Sequence, residues 1–433
     1  MQSFYIHFKH ISMLKNYKIN AKYQNTWKWL TIKQIELLYN MEKNLSNKKF
    51  KLIAKTLSGL ENVLADEIKE LGGEKVSLLN RSVEFEGDLS LLYKANYCCR
   101  LATRILMPID SFKAEHQNKL YDKLFRINWA SYFDVSNTIA VDSTVNYSSF
   151  KNSLYIAQLT KDAIVDKFRK FKGRRPSVDI KKPQIRINIH IHDNNVTISL
   201  DSSGEPLSRR GYRLDGGKAP LNEVLAAGII QLSEWDKKST FIDPMCGAGT
   251  FVIEAAMVAQ KIPSGYNRKQ YSFMNWKNYD SKIWNDIKGE YNKNIEASLP
   301  FQIYGSDRSK LRIRDAKENA KKAGVLDSIL FEAVKFEKTD APEQKGTIIM
   351  NPPYGERMVK DDMEILYQLI GDTFKNSYEG FNAFVFSGNM EAVKKIGLKA
   401  SRRIKLFNGP IECRLMKYEI YKGSKKNKNP ENE

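Results

Sequence analysis

Cysteine and histidine are both scarce in this 433-residue chain, which has four of the first and five of the second. Cys98, Cys99, Cys246 and Cys413 form no Cys-x-x-Cys pair, and the histidines do not cluster at ligand spacing. A disulfide framework and a structural zinc are therefore not expected, and no metal centre is assigned. His190 and His192 alternate along a strand and share one face, which suits a solvated or partly packed pair. Long apolar runs are also missing. Nothing approaches the roughly 18 residues of a membrane-spanning helix, and reduced thiols fit a cytoplasmic protein. The first forty residues are basic and aromatic, with Trp27 and Trp29 among them, but show neither an apolar core segment nor a small-residue cleavage site. They are read as a poorly ordered extension over residues 1–46, with Met41 as an alternative start.

Acidic residues are in deficit. Fifty Asp and Glu face seventy Lys and Arg, a formal charge of +20. Such a balance points to a polyanionic partner, although the joint abundance of lysine and asparagine is equally what biased base composition produces. Hydrophobic residues at 42% and aromatics at 11% are enough for two or three folded domains, each with its own core.

Residues 50–110 read strand, helix, strand, strand, helix. Phe50–Ala54 alternates, Ser58–Leu71 has apolar positions at helical spacing closed by Gly72 and Gly73, and Val83–Phe85 is a short strand before an amphipathic Leu89–Ala102. A helix near Lys119–Phe125, a strand at Thr138–Val145 and a long helix over Ser153–Phe171 follow. A hairpin then alternates Ile185, Ile187, Ile189 and Ile191 with polar residues, turns at Asp193–Asn195, and returns through Val196, Ile198 and Leu200. A two-layer α+β module with one wetted sheet face is expected. Beyond about residue 206, strands at Ser239–Asp243, Gln302–Asp307, Ile329–Phe336, Gly346–Met350 and Asn382–Ser387 alternate with helices, which implies an α/β domain with a mostly parallel sheet. Asn408-Gly409, between Ile404–Phe407 and Ile411–Met416, adds an antiparallel hairpin. The polar tail after Lys422 is expected to be disordered.

Two corners of the α/β half carry chemistry. Asp243-Pro244-Met245-Cys246-Gly247-Ala248-Gly249-Thr250 lies between a strand and a helix. Its glycines permit a tight turn and close ligand approach, and the helix start offers free N–H groups. The loop lacks the Lys-Ser/Thr ending of a triphosphate-binding loop and the third glycine of the dinucleotide fingerprint. One βα unit later, Asp307 either accepts the two hydroxyls of a ribose or caps the helix starting at Arg308. The second corner is Asn351-Pro352-Pro353-Tyr354 at a strand's carboxyl end. Consecutive prolines hold the chain extended and remove two donors. An amide oxygen and a carbonyl can then accept both hydrogens of an exocyclic amine while the ring stacks on the attached base.

The second corner resembles the Asn/Asp-Pro-Pro-Tyr signature of amino-methyltransferases, and the glycine loop resembles motif I of class I S-adenosylmethionine enzymes. Leu57-Ser58-Gly59-Leu60-Glu61, Asn80-Arg81-Ser82-Val83, Ser208-Arg209-Arg210-Gly211-Tyr212-Arg213, Gly355-Glu356-Arg357 and the stretch Arg402–Arg414 resemble the large-subunit ribosomal RNA guanine-N2 methyltransferases of the RlmL type, including stand-alone Bacillus-type homologues. The resemblance implies a ferredoxin-like subdomain (47–110), a THUMP RNA-binding domain (111–206), a Rossmann-like class I methyltransferase domain (207–422) and a tail (423–433). It implies S-adenosylmethionine held by Asp243, Pro244, Gly247, Gly249, Thr250 and Asp307, with Pro220 and Leu221 beneath it. It further implies catalysis at Asn351, Pro352, Pro353 and Tyr354, and N2-methylation of a guanosine in 23S rRNA or a precursor particle. Some relatives fuse a second methyltransferase domain, which this chain is too short to contain. An acid usually expected near the adenine is replaced by Lys335-Phe336-Glu337-Lys338, leaving Glu337, Asp340 or backbone alone for that contact. Lys172, Arg174, Arg175, Arg209, Arg210, Arg402 and Arg403 are candidate RNA contacts, and the insertion Lys261–Pro300, which mixes cations and rings, suits either base stacking or a flap over the cofactor. The same chemistry on a tRNA guanine or an adenine N6, or a non-catalytic ribosome assembly role, are the competing readings.

Overall fold

The computed structural model describes residues 48–213, 221–354 and 360–421. The N-terminal extension, Pro220 and its neighbours, Gly355-Glu356-Arg357 and the tail lie outside the described residues. The first half builds one seven-stranded sheet in the order β2-β3-β1-β4-β7-β6-β5. Its strands are β1 (Phe50–Lys55), β2 (Glu74–Leu79), β3 (Ser82–Gly87), β4 (Arg104–Lys113), β5 (Ile139–Asn146), β6 (Ile185–His192) and β7 (Asn195–Asp201). Ile185, Ile187, Ile189 and Ile191 are fully buried while their neighbours face out, as strand alternation requires. Ten-residue β4, not read from the sequence, pairs with β1 on one side and β7 on the other. The position 110/111 therefore falls inside a strand shared by both expected modules. A register shift between Pro108 and Asp110 accommodates the proline that had hidden the strand.

The second half is an open sheet ordered β10-β9-β8-β11-β12-β14-β13, built from β8 (Phe241–Asp243), β9 (Ile303–Ser306), β10 (Ile329–Glu332), β11 (Thr347–Met350), β12 (Asn382–Ser387), β13 (Arg402–Asn408) and β14 (Ile411–Glu419). β10 to β12 run parallel, and β14 lies antiparallel to β12. β11 is buried along its length, the pattern of a central parallel strand covered on both faces. Helices 223–232, 250–259 and 310–323 contribute to the core on one face, and helix 360–377 to the core on the other. Strand order reverses at β8, whose neighbours are β9 and β11. No helix among the described residues is long and apolar enough to cross a membrane.

The two halves interpenetrate. The expected helix Ser58–Leu71 forms only over Glu61–Glu70, because Ser58 and Gly59 turn, Gly59 taking a φ of 91°. That turn sends Leu60 into the core of the second half, where it is fully buried. Helix 223–232 receives it at Gly228, where a Cβ would lie 2.6 Å from the leucine methyls. In return, the insertion leaves the second half and packs on the first. Phe273 stacks on Tyr93 at 4.4 Å between centroids, and Trp284 meets Tyr97 edge-on at 5.4 Å. Tyr271, Phe273, Trp276 and Trp284 are buried, which corrects both expectations for the insertion: these rings are a joint between halves, not a base-stacking surface or a cofactor flap. Truncating Leu60 to Ala is expected to cost about 2–5 kcal/mol, read as a lowered midpoint in urea denaturation followed by circular dichroism.

Candidate active site

The glycine loop is set by its connection to β9. Cys246 N donates to Ser306 O at 2.8 Å, and Gly247 N donates to Asp307 Oδ2 at 3.1 Å. Asn319, from helix 310–323, holds the Ala248 carbonyl at 3.0 Å. The two glycines serve different needs. Gly249 (φ 85°) begins helix 250–259 and lies so close to helix 310–323 that a Cβ would come within 3.1 Å of Ala316 Cβ. Gly247 (φ 53°) would direct a Cβ into open space, leaving its backbone approachable. Gly249 supplies no side-chain cap, so the helix start keeps its partial positive charge for a ligand.

Asp307 is not the helix cap. Ser309 caps helix 310–323, its Oγ accepting from Arg312 N, while Asp307 Oδ1 accepts from Ser309 N at 2.8 Å. Both carboxylate oxygens brace backbone, yet each retains lone pairs toward the site. Asp243 is buried at the end of β8 with Pro244 beside it. Its Oδ1 accepts from Met245 N at 3.1 Å. Burial first, and the charge of Asp307 second, push its carboxyl well above the usual range.

Below the loop, Arg213 collects three groups. Its guanidinium donates to the Leu221 carbonyl, the Glu223 carboxylate and Thr250 Oγ1. Thr250, expected to face the cofactor, is buried with its hydroxyl in this cluster. Asn222 caps helix 223–232 by accepting from Val224 N at 2.9 Å. Sequence reasoning missed Arg213 as the anchor of Leu221. Beyond β10, where an adenine contact was expected, Phe336 is buried against Phe374 and Tyr378. Asp340 accepts from Ser377 Oγ at 2.9 Å, which commits it to the far end of helix 360–377. Glu337 stays exposed beside Lys335.

The second corner lies on the same edge. β8 and β11 pair in parallel, Phe241 opposite Thr347 and Ile242 opposite Ile348. Extending that register sets Ile349 beside Asp243, so Asn351 stands two residues, about 7 Å, beyond it. Pro352 is buried and Pro353 partly so. Asn351 Oδ1 is buried and has no hydrogen-bond partner among the described residues. An orphaned acceptor of this kind costs about 1–3 kcal/mol and calls for a donor from outside. Tyr354 is partly buried, and burial raises its hydroxyl pKa so that it stays protonated. Among the described residues no group of three His, Cys, Asp or Glu side chains stands close enough to hold a metal.

The basic candidates divide. Lys172, Arg174 and Arg175 are exposed at the end of helix 153–172, next to exposed Phe171, whose ring lies 4.4 Å from Lys167 Nζ. Arg209, Arg402 and Arg403 are exposed, with Arg209 and Arg402 paired to Glu205 and Glu234. Arg210 is the correction: it is 1% exposed. It donates to the Leu207 and Arg100 carbonyls at 2.9 and 2.6 Å and lies 3.4 Å from fully buried Glu254, out of reach of any nucleic acid. Arg210→Ala is expected to cost about 3–5 kcal/mol by stranding Glu254, whereas Arg209→Ala moves stability by under about 0.5 kcal/mol. Denaturant titration of the two variants checks this.

With this geometry in place, the chain was compared with known proteins. Residues 51–106 match the RlmL ferredoxin-like domain, residues 114–201 the THUMP domain, and residues 210–417 the RMKL-like methyltransferase domain. The ribosomal RNA large subunit methyltransferase K/L of Syntrophotalea carbinolica is 39% identical over 86% of this chain, and the chain spans 53% of that relative's length. A Synechocystis protein named as an RNA methyltransferase is 38% identical, the match covering 84% of this chain and 95% of that one. A solved methyltransferase, SMU.472 complexed with SAH, superposes with a TM-score of 0.79 at 29% identity, over 87% of this chain and all of the other.

Proposed function

The chain belongs to the family that joins RlmL ferredoxin-like, THUMP and RMKL-like methyltransferase domains, and on that premise we propose that it transfers a methyl group from S-adenosylmethionine to the exocyclic N2 amine of a guanosine in 23S rRNA. The buried Oδ1 of Asn351, without a partner among the described residues, carries this reading, because it is an acceptor that an incoming N–H would satisfy. The names of the K/L relatives support a large-subunit RNA substrate, and the Gly355-Glu356-Arg357 sequence supports guanine.

The donor fits the residues present. Gly247 leaves its backbone open, the helix start at Thr250 is free of a side-chain cap, Asp307 offers a carboxylate to ribose hydroxyls, and Asp243 offers a buried carboxyl group that a bound cation would ionise. When bound, S-adenosylmethionine supplies an electrophilic methyl group on a cationic sulfur. Asn351 Oδ1 and the Pro352 carbonyl accept the two amine hydrogens, which draws the nitrogen out of conjugation and turns its lone pair toward the methyl group. Tyr354 stacks on the base. Positioning of this kind is worth about 7–11 kcal/mol in the best cases, and no strong base is required, since the methylated ammonium loses its proton readily. Lys172, Arg174 and Arg175, beside Phe171, are read as phosphate and stacking contacts of the RNA.

Methyl transfer from tritiated S-adenosylmethionine to unmodified 23S rRNA, followed by nucleoside analysis, tests the proposal. Wild-type protein is expected to place the label in N2-methylguanosine, and Asn351→Ala to lose at least about 100-fold in rate with unchanged cofactor affinity. Label in N6-methyladenosine or only in tRNA would replace the substrate, and absence of transfer to any RNA would overturn the reading.

The raised pKa of Asp243 adds a pH dependence. In the free protein burial favours the neutral acid, so the fold loses stability as pH rises from the ordinary carboxylate range toward the raised value. A bound cation favours the carboxylate. Binding should therefore release a proton, and affinity should rise as pH climbs from the ordinary carboxylate range through the raised value. Calorimetry in buffers of different ionisation enthalpy measures this, and Asp243→Asn is expected to abolish it.

A further inference from the structure

Tyr354 is anchored from an unexpected direction. Asn408, at the end of β13, donates Nδ2–H to Tyr354 Oη at 2.8 Å, and Cys413 Sγ on β14 lies 3.7 Å from the same oxygen. Gly388, just past β12, makes room for the ring: a Cβ there would sit 3.2 Å from Tyr354 Cδ2 and 2.9 Å from Ile411 Cγ2. The ring is thus held at its hydroxyl by the C-terminal hairpin and flanked by a residue without a side chain. Asn408 is available for this because the turn does not use it. Asn408 pairs with Ile411, so the two turn residues are Gly409, with a φ of 61°, and Pro410, one position later than Asn408-Gly409 suggested. β13 is itself backed by the first half of the chain, where Gly59 approaches so closely that a Cβ would come within 2.8 Å of the Lys405 carbonyl.

We propose that Asn408 is a positioning residue that sets the orientation of the Tyr354 ring, and through it the plane in which the target base is presented to Asn351. The proposal rests on the reading of Tyr354 as the stacking surface for that base. Without the amide, the ring keeps its apolar seat but loses the bond that holds its hydroxyl end against swinging about the Cα–Cβ bond. The amine nitrogen would then be offered off line to the methyl group, which lowers the rate of the chemical step and leaves the cofactor site untouched.

Asn408→Ala, Tyr354→Phe and the double variant, assayed by methyl transfer to unmodified 23S rRNA at saturating S-adenosylmethionine, test this. Each single change is expected to lower kcat roughly 10- to 100-fold with the KM for S-adenosylmethionine unchanged, and the double variant to fall no further than the worse single, because both remove the same bond. Losses that multiply in the double variant, a wild-type kcat in either single variant, or a parallel rise in cofactor KM would each overturn the positioning role. Tyr354→Phe leaves the hairpin intact, so it decides the question even where Asn408→Ala fails to fold. Wild-type protein that binds cofactor and methylates no RNA would instead sink the functional reading itself.

Discussion

The parallel pairing of β8 with β11 is the constraint from which the site follows. It sets the end of one strand beside the end of another, so the glycine loop after Asp243 and the double-proline corner after Met350 open on one edge of the sheet. This is the switch point of an open α/β sheet, where strand order reverses and neighbouring loops diverge to leave a crevice. A shift of one residue in that register would exchange the faces of Ile348 and Ile349, both fully buried, and disrupt the close packing on both sides. The core on the two faces therefore holds the alignment of the two corners. Chemistry at the edge is a by-product of packing beneath it.

Packing also ties the first half of the chain to that edge. Leu60 enters the core of the catalytic half, and the rings of the insertion enter the core of the other, so neither half has a complete core alone. A hinge between them would have to expose Leu60, Tyr271, Phe273, Trp276 and Trp284 together. At roughly 1.5–3 kcal/mol for each large apolar side chain, that cost is comparable to the whole stability of a domain. The halves thus behave as one body, so an RNA docked on the first, as proposed, would be presented to the second at a set distance.

Periodicity made most of this legible. The isoleucine alternation of β6, the apolar run 348–350 of β11 and the helix after the glycine loop were each readable because burial on one face or both leaves a direct imprint on sequence. The Asn351–Tyr354 corner and the Gly247–Gly249 loop stood out in the sequence because few residue types can adopt what a double-proline corner or a tight glycine turn requires. Three features were not. β4 was hidden by Pro108, which interrupts the pattern at a register shift. The insertion aromatics looked like a nucleic-acid surface because composition cannot tell a ring that stacks on a base from one that stacks on Tyr93. Arg210 sat in a run of exposed-looking cations, and only its partner Glu254, 44 residues away, shows it to be internal. Long-range polar pairing leaves no local signature.

That internal cluster bears on why the joint between the halves is polar as well as apolar. Glu254 lies on helix 250–259, which starts at the glycine loop, and it is surrounded by Arg100, Arg210 and Tyr212. Arg100 belongs to the first half and also donates to the Met257 and Ile262 carbonyls of the second. Removing such charges from water costs several kcal/mol per ion, and apolar residues of the same volume would often be at least as stable. What apolar residues would not provide is a single acceptable arrangement. Leucine on leucine tolerates sliding by an ångström, whereas a guanidinium that must reach a carboxylate and two carbonyls does not. The joint accepts that cost at the point where the half expected to dock RNA meets the helix whose first residues frame the cofactor loop, and where a displacement of one ångström would be felt in the alignment of nucleophile and methyl group.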